Sequence, residues 1–276
     1  MNIEEDVKRY YDRNTRRFIT FGEGAGDAAI HRAVHHPDAD NPFVFQEGRI
    51  LEIIKDVKAE AVMDLGCGVG SSLTWLADRY SSRYYGMTLS PRQAEMAKAR
   101  SAGRDIEIIC GSYLDQSAYN SIHNAAERRL FFGIESWLHC TDPRMLFRRI
   151  AENTRADDVL VFWDDFRTPA SSTLSAQRHL RDFREGWHAV NSILTRESDN
   201  IAEEFGFENI LDLDYTQWLG IDRIRDRMIA GAVPILRPLR LGTPWWQNLL
   251  GGNALRILLK NGWINYRLRA WKKTMT

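Results

Sequence analysis

Apolar residues recur at Ile50, Leu51, Ile53, Ile54 and Val57, a spacing of three and four that predicts a helix over residues 46–58. Downstream, short runs at 61–65, 83–87, 106–110, 130–134 and 159–163 read as strands, and helices are predicted over 71–80, 91–101 and 144–153. Pro91 suits the first turn of its helix, where its missing N–H costs nothing. Strands separated by helices of this length imply a parallel sheet with helices on both faces. The regularity ends after Asp165, beyond which a helix over 201–207 and strands over 210–215 and 265–272 are expected. The stretches 168–198 and 216–263 stand outside this pattern as insertions. Upstream, an amphipathic helix over 3–18, rich in Arg and Tyr, runs into a glycine-bearing loop at 22–26. A second helix over 28–34 and a polar loop over 35–43 follow. The predicted organisation is an N-terminal helical lid (1–58) on a core (59–276) capped by the two insertions.

Charge changes this picture in one direction only. Lys plus Arg and Asp plus Glu each number 37 in 276 residues, which argues against a general nucleic-acid binder, since that task needs a basic excess. A small anionic substrate is still admitted, because a few arginines suffice locally. Charged residues at 27% and hydrophobic ones at 44% exclude a disordered chain. The 30 aromatic residues include 9 Trp, and Trp187, Trp218, Trp245, Trp246 and Trp263 all fall in the insertions. Cys67, Cys110 and Cys140 have neither CxxC nor zinc spacing, so reduced thiols in a cytoplasmic protein are expected, with no metal site. The charged N-terminus reads as no secretory signal, and no apolar run approaches the ~18 residues of a membrane span.

Candidate chemistry gathers at the carboxyl ends of the predicted strands, where open parallel sheets bind ligands. Gly66, Gly68 and Gly70 follow Asp64 and Leu65 between a strand and a helix, where glycines permit a sharp turn and close approach of a ligand. They lack the GxGxxG spacing of dinucleotide binders. Glu135, delivered by the fourth strand beside aromatic residues, reads either as a base of raised basicity or as a cap. His139 reads as a proton shuttle or a hydrogen-bonded turn residue. Asp164 and Asp165 read as a metal or base pair, or as solvated acids.

The run Val62-Met63-Asp64-Leu65-Gly66-Cys67-Gly68 closely resembles the cofactor motif of class I S-adenosylmethionine-dependent methyltransferases. That resemblance implies a Rossmann-like α/β fold with a mostly parallel seven-stranded sheet. It also implies S-adenosylmethionine as cofactor, with Asp64 near its amino-acid portion and the loop Gly66, Cys67, Gly68 and Gly70 beneath it. The second strand lacks the usual ribose-binding acid. Its Gly86-Met87-Thr88-Leu89-Ser90-Pro91-Arg92-Gln93 is similar to the G-x-T-L-S-P-x-Q of carbon-methylating enzymes of the sterol, tocopherol and prenyl diphosphate type. This assigns the ribose to Thr88 and Gln93 beside Leu89, with Ser112 standing where the family carries an acid facing adenine. Thr88 and Ser90 are also positioned to cap the helix at Pro91.

The segments YYDRNTRRF, AAIHRAVH, GIESWLH, FREGWH and GTPWWQNLLGGNAL resemble bacterial terpenoid-pathway carbon methyltransferases that act on isoprenyl diphosphates. The resemblance implies a tyrosine-bearing N-terminal helix over the cofactor, giving roles to Tyr10 and Tyr11, and a base at Glu135. An alkene acceptor would pass through a carbocation, which aromatic faces stabilise. Trp137, Trp163 and Trp187 are the candidate wall, or alternatively core and lid residues. Arg16, Arg17, His31 and Arg32, or Arg178, His179, Arg181 and Arg184, are the candidate diphosphate clamps, or alternatively solvated faces. A magnesium ion is compatible with a diphosphate. The expected partner is a small isoprenoid, with no nucleic acid and no membrane span, and the chain is compatible with a homo-oligomer. Rival readings are methylation of nitrogen or oxygen on a natural product, and a cyclase on the same fold.

Overall fold

The computed structural model describes residues 3–21, 30–123, 125–221, 223, 227–229, 231–233 and 244–274. Seven strands form one sheet in the order β3-β2-β1-β4-β5-β7-β6. They are β1 (Ala61–Leu65), β2 (Arg83–Thr88), β3 (Ile106–Cys110), β4 (Arg129–Ile134), β5 (Val159–Arg167), β6 (Phe207–Asp214) and β7 (Ile264–Lys273). The first five are parallel, while β7 runs antiparallel between β5 and β6. This is the Rossmann-like class I methyltransferase fold. The chain order reverses at β1 and β4, so a crevice opens beyond their carboxyl ends.

Strand residues alternate between two cores, because successive side chains point to opposite faces and both faces are covered. Val62, Leu130, Phe132, Val161 and Trp163 pack under the helices α2 (Phe45–Val57), α3 (Ser71–Ala77) and α4 (Pro91–Arg100). Met63, Phe131, Leu160 and Phe162 pack on the opposite face. There they meet α5 (Asn120–His123), α6 (Pro143–Glu152) and α8 (Thr195–Glu204). Local signals set the helix starts: Ser90 Oγ accepts the Gln93 N–H with Pro91 next to it, and Asp142 does the same for Met145 before Pro143. The N-terminal helix α1 (Ile3–Phe21) lies against α4.

The stretches 168–198 and 216–263 each carry one long helix, α7 (Leu174–Trp187) and α9 (Pro244–Lys260), and the two pack together. Their contact runs through Gly186 and Gly251. A Cβ at Gly186 would fall 2.4 Å from the Gln247 carbonyl oxygen, and one at Gly251 would fall 2.6 Å from the Trp187 ring.

Two expected elements differ. Residues 30–34 of the helix expected over 28–34 are not helical, and 28–29 and the glycine loop 22–26 lie outside the described residues. The Val34 N–H goes to the Pro42 carbonyl, Val34 bridges to Leu219, and the side chains of His31 and Arg32 turn inward to buried acids. The helix expected over 201–207 is α8, which begins six residues earlier and ends before Gly206 at φ +72°. Glu197 caps its start by accepting the Leu194 N–H at 2.7 Å, and few of its residues are apolar.

Candidate active site

The loop after β1 is pinned to the neighbouring strand. The N–H groups of Gly66 and Cys67 both donate to the Met87 carbonyl, at 3.1 and 2.7 Å. Gly66, Gly68 and Gly70 all take positive φ, at +117°, +53° and +78°. A Cβ at Gly66 would meet the Ser136 Cβ at 2.5 Å, and one at Gly133 would meet the Ser136 Oγ at 2.4 Å. Gly66 in the loop after β1 and Gly133 on β4 thus make room for one serine after β4.

This loop floors a cavity of about 370 Å³, lined mainly by apolar atoms and by side chains from α1, β1, β2, the loop after β4 and α9. Asp64 stands in its wall, 4% exposed, and no described residue hydrogen-bonds its carboxyl. Burial, and then the charge of Glu47, push that carboxyl well above the usual range. A buried acid of this kind is relieved by a cationic ligand. The residues therefore fit the ammonium end of S-adenosylmethionine.

At the end of β2 the expected ribose pair is brought together. Thr88 donates to Gln93 Oε1 at 2.8 Å, and both line the cavity with Leu89. The Gln93 amide also donates to Thr15 of α1 at 3.2 Å, and Ser90 donates to Asp12. Ser112 lies off the cavity wall, donating to Glu4 at 2.7 Å, while its neighbours Gly111 and Tyr113 line it. The short side chain is engaged by the N-terminal helix.

At the acceptor end, Glu135 lines the cavity with its backbone at φ +50°. Burial raises its carboxyl, but Arg32 and then His31 outweigh that and hold it below the usual range. The expectation of raised basicity is thereby overturned: Glu135 is a paired anion. Arg32 donates through Nε to Glu135 and through its two terminal nitrogens to Asp165, at 2.9 to 3.1 Å. A guanidinium bound to two carboxylates is not the free clamp expected. His31 likewise binds Glu47 at 2.8 Å, which raises it to about 9 against the opposing effect of burial. Arg16, Arg178 and Arg181 are exposed and line no part of this cavity, as does Arg184, while the Arg17 side chain lies outside the described residues.

His139 uses both ring nitrogens. It meets the His188 carbonyl through Nδ1 at 3.1 Å and the Tyr11 hydroxyl through Nε2 at 2.7 Å. Burial pushes it down to about 4, so it is neutral; Nδ1–H donates and Nε2 accepts from Tyr11. Tyr10 and Tyr11 line the cavity as expected. Of the three expected tryptophans only Trp187 does. Trp137 packs on Phe162 and Phe166, and Trp163 on Tyr215 and Tyr266, both within the cores. Asp164 and Asp165 are buried rather than solvated, Asp164 accepting the N–H groups of Leu138 and Asp165. Among the described residues no three His, Cys, Asp or Glu side chains form a metal-sized cluster.

Four residues in or behind the site were not foreseen. Tyr266 of β7 donates to Glu135 at 2.9 Å, and Gln46 of α2 reaches both Arg32 and Tyr266. Asn253 and Arg256 of α9 face the cavity from the far side, and the buried Asn253 Oδ1 has no hydrogen-bond partner among the described residues. Their one signal is a spacing of three within a predicted insertion.

Comparison with known proteins gives matches of domain and of fold. Residues 62–157 match the family described as a methyltransferase domain, and the sheet order is that of the class I fold. It is 23% identical over 231 residues to a probable tocopherol O-methyltransferase of Oryza sativa subsp. japonica, covering 79% of this chain and 62% of that protein. It is 22% identical to the 24-methylenesterol C-methyltransferase 2 of the same plant, covering 77% and 56%. The chain thus spans less than two thirds of these relatives. Among solved structures, it is similar to geranyl diphosphate C-methyltransferase from Streptomyces coelicolor A3(2), in complex with Mg2+, geranyl diphosphate and S-adenosyl-L-homocysteine. The TM-score is 0.71 at 17% identity, covering 99% of this chain and 98% of that one. The [4+2]-cyclase SpnF gives a TM-score of 0.69 at 16% identity, covering 99% and 97%. No helix among the described residues is long and apolar enough to cross a membrane.

Proposed function

We propose that the protein transfers the methyl group of S-adenosylmethionine to an alkene carbon of an isoprenoid acceptor. The observation that carries this reading is a carboxylate, Glu135, on the wall of a mainly apolar cavity that also contains the glycine loop and Asp64. When bound, the cofactor supplies a methyl on sulfonium sulfur, which the alkene π pair takes while the C–S electrons stay on sulfur. The resulting cation on the acceptor sits among Tyr10, Tyr11 and Trp187, whose faces stabilise positive charge. Glu135 accepts the adjacent proton, and the C–H electron pair restores a double bond. An apolar lining keeps water from trapping the cation.

The polar end of the acceptor falls to Arg256 and Asn253, which line the cavity from α9, Arg256 Nε donating to the Ile221 carbonyl at 3.1 Å. One such cation neutralises only part of a diphosphate, so the magnesium of the Streptomyces complexes bears on this chain too. The test is a panel of isopentenyl, dimethylallyl, geranyl and farnesyl diphosphates and geraniol, with magnesium or with chelator, plus a quinone and an indole. Mass spectrometry should show a gain of one methyl on an isoprenoid. Methylation of the quinone or indole alone would overturn the acceptor class. The resemblance to the cyclase supports a second reading, separated from the first by whether S-adenosylhomocysteine is released.

A further inference from the structure

Glu135 is held by one oxygen. Its Oε1 accepts three hydrogen bonds, from the backbone N–H of Arg32, from Arg32 Nε and from the Tyr266 hydroxyl, each at 2.9 Å. The donors are themselves fixed. Arg32 reaches both oxygens of Asp165 and lies 4.1 Å over the Tyr266 ring. The Gln46 amide donates to the Arg32 carbonyl at 2.6 Å and to the Tyr266 hydroxyl at 3.3 Å. No described residue donates to Oε2, and Glu135 lines the cavity. The left-handed backbone, φ +50°, is one that an L residue adopts at a cost of order 1 kcal/mol, so the surroundings dictate this orientation.

We propose that Arg32 and Tyr266 are positioning residues that saturate one oxygen of Glu135 so that the other, Oε2, is the single basic atom offered to the acceptor. They thereby fix which proton leaves the methylated cation. This rests on the reading of Glu135 as the base. A cation formed by methylation has protons on more than one neighbouring carbon, and a carboxylate free to rotate would take any of them. With Oε1 spent on three donors, the proton passes to Oε2, the C–H pair closes one double bond, and the position of Oε2 selects it. Arg32 and His31 supply positive charge to Glu135. Asp164 and Asp165 of β5, and the hydroxyls of Tyr11 and Tyr266 with the neutral His139, make up the remaining titratable surroundings.

The first arm of the test needs no acceptor. In protein labelled with carbon-13 at the glutamate carboxyl carbon, the Glu135 signal is assigned by its loss in Glu135→Gln and titrated by NMR. Its midpoint should rise in Arg32→Gln, and less in Tyr266→Phe, a variant that removes one hydroxyl and keeps the ring. The second arm uses geranyl diphosphate with magnesium, or whichever panel isoprenoid accepts a methyl. Tyr266→Phe should lower kcat about tenfold, leave the KM for S-adenosylmethionine unchanged, and split one product into double-bond isomers. An unmoved midpoint in Tyr266→Phe, or a single isomer formed at the wild-type rate, overturns the proposal. Wild-type turnover in Glu135→Gln ends the base reading, and with it the claim of proton selection. A raised midpoint in Tyr266→Phe alongside would still show that the carboxylate is held.

Discussion

At Asp64 the protein keeps an acid where its surroundings oppose ionisation. Its carboxyl is raised by burial and by Glu47, so at neutral pH an ionised Asp64 costs the unliganded fold stability, which a cationic ligand returns. Asp64→Asn is therefore expected to raise the melting temperature of the free protein while weakening S-adenosylhomocysteine at least tenfold, about 1.4 kcal/mol. Calorimetric titration beside a thermal melt checks both signs. Residue-scale legibility was good where contacts are local: Thr88 and Gln93, paired through the resemblance, lie five apart and are hydrogen-bonded. It was poor for Trp137 and Trp163, because proximity to a strand end does not say which way a side chain faces. In a sheet covered on both sides, both directions are core.

Among the elements, the pairing of α7 with α9 depends on two glycines. Gly186→Ala would drive a methyl into the Gln247 carbonyl, and overpacking of this kind costs about 1–3 kcal/mol. The expected result is a melting temperature lower by several degrees, with S-adenosylhomocysteine affinity unchanged, because Asp64 and the glycine loop lie on other elements. A loss of that affinity instead would show the insertions to be coupled to the loop. Helical spacing correctly joined Arg178, Arg181 and Arg184 on one face of α7, yet it carries no information about whether that face looks inward. The strands of the core were legible from apolar runs. The segment 30–34 was not, since its conformation follows from acids contributed by α2, the loop after β4 and β5 rather than from its own pattern.

For the whole molecule, two buried histidines set opposing limbs of the stability profile. His31 is raised from 6.5 to about 9, so its contribution is complete below pH 6.5 and is lost as pH rises to about 9. His139 is depressed from 6.5 to about 4, so the native state resists the proton that the unfolded chain takes, and stability falls as pH drops from 6.5 toward 4. Urea midpoints should peak near neutrality, each limb being worth about 3 kcal/mol at most. His31→Gln should flatten the alkaline limb and His139→Gln the acid one; unchanged limbs would refute the assignments. Most of the fold was readable because β1 to β5 carry their own apolar signals. The hold on Glu135 was not, because Tyr266 stands 131 residues away in sequence. That separation also orders events in time. β6 has β7 as its one sheet neighbour, so a chain emerging from the ribosome carries β6 with its backbone groups exposed until residues 264–273 have been made. The same late strand brings Tyr266. Closure of the sheet and completion of the carboxylate's surroundings are therefore one event in synthesis, and a nascent chain that has not yet inserted β7 holds no finished site.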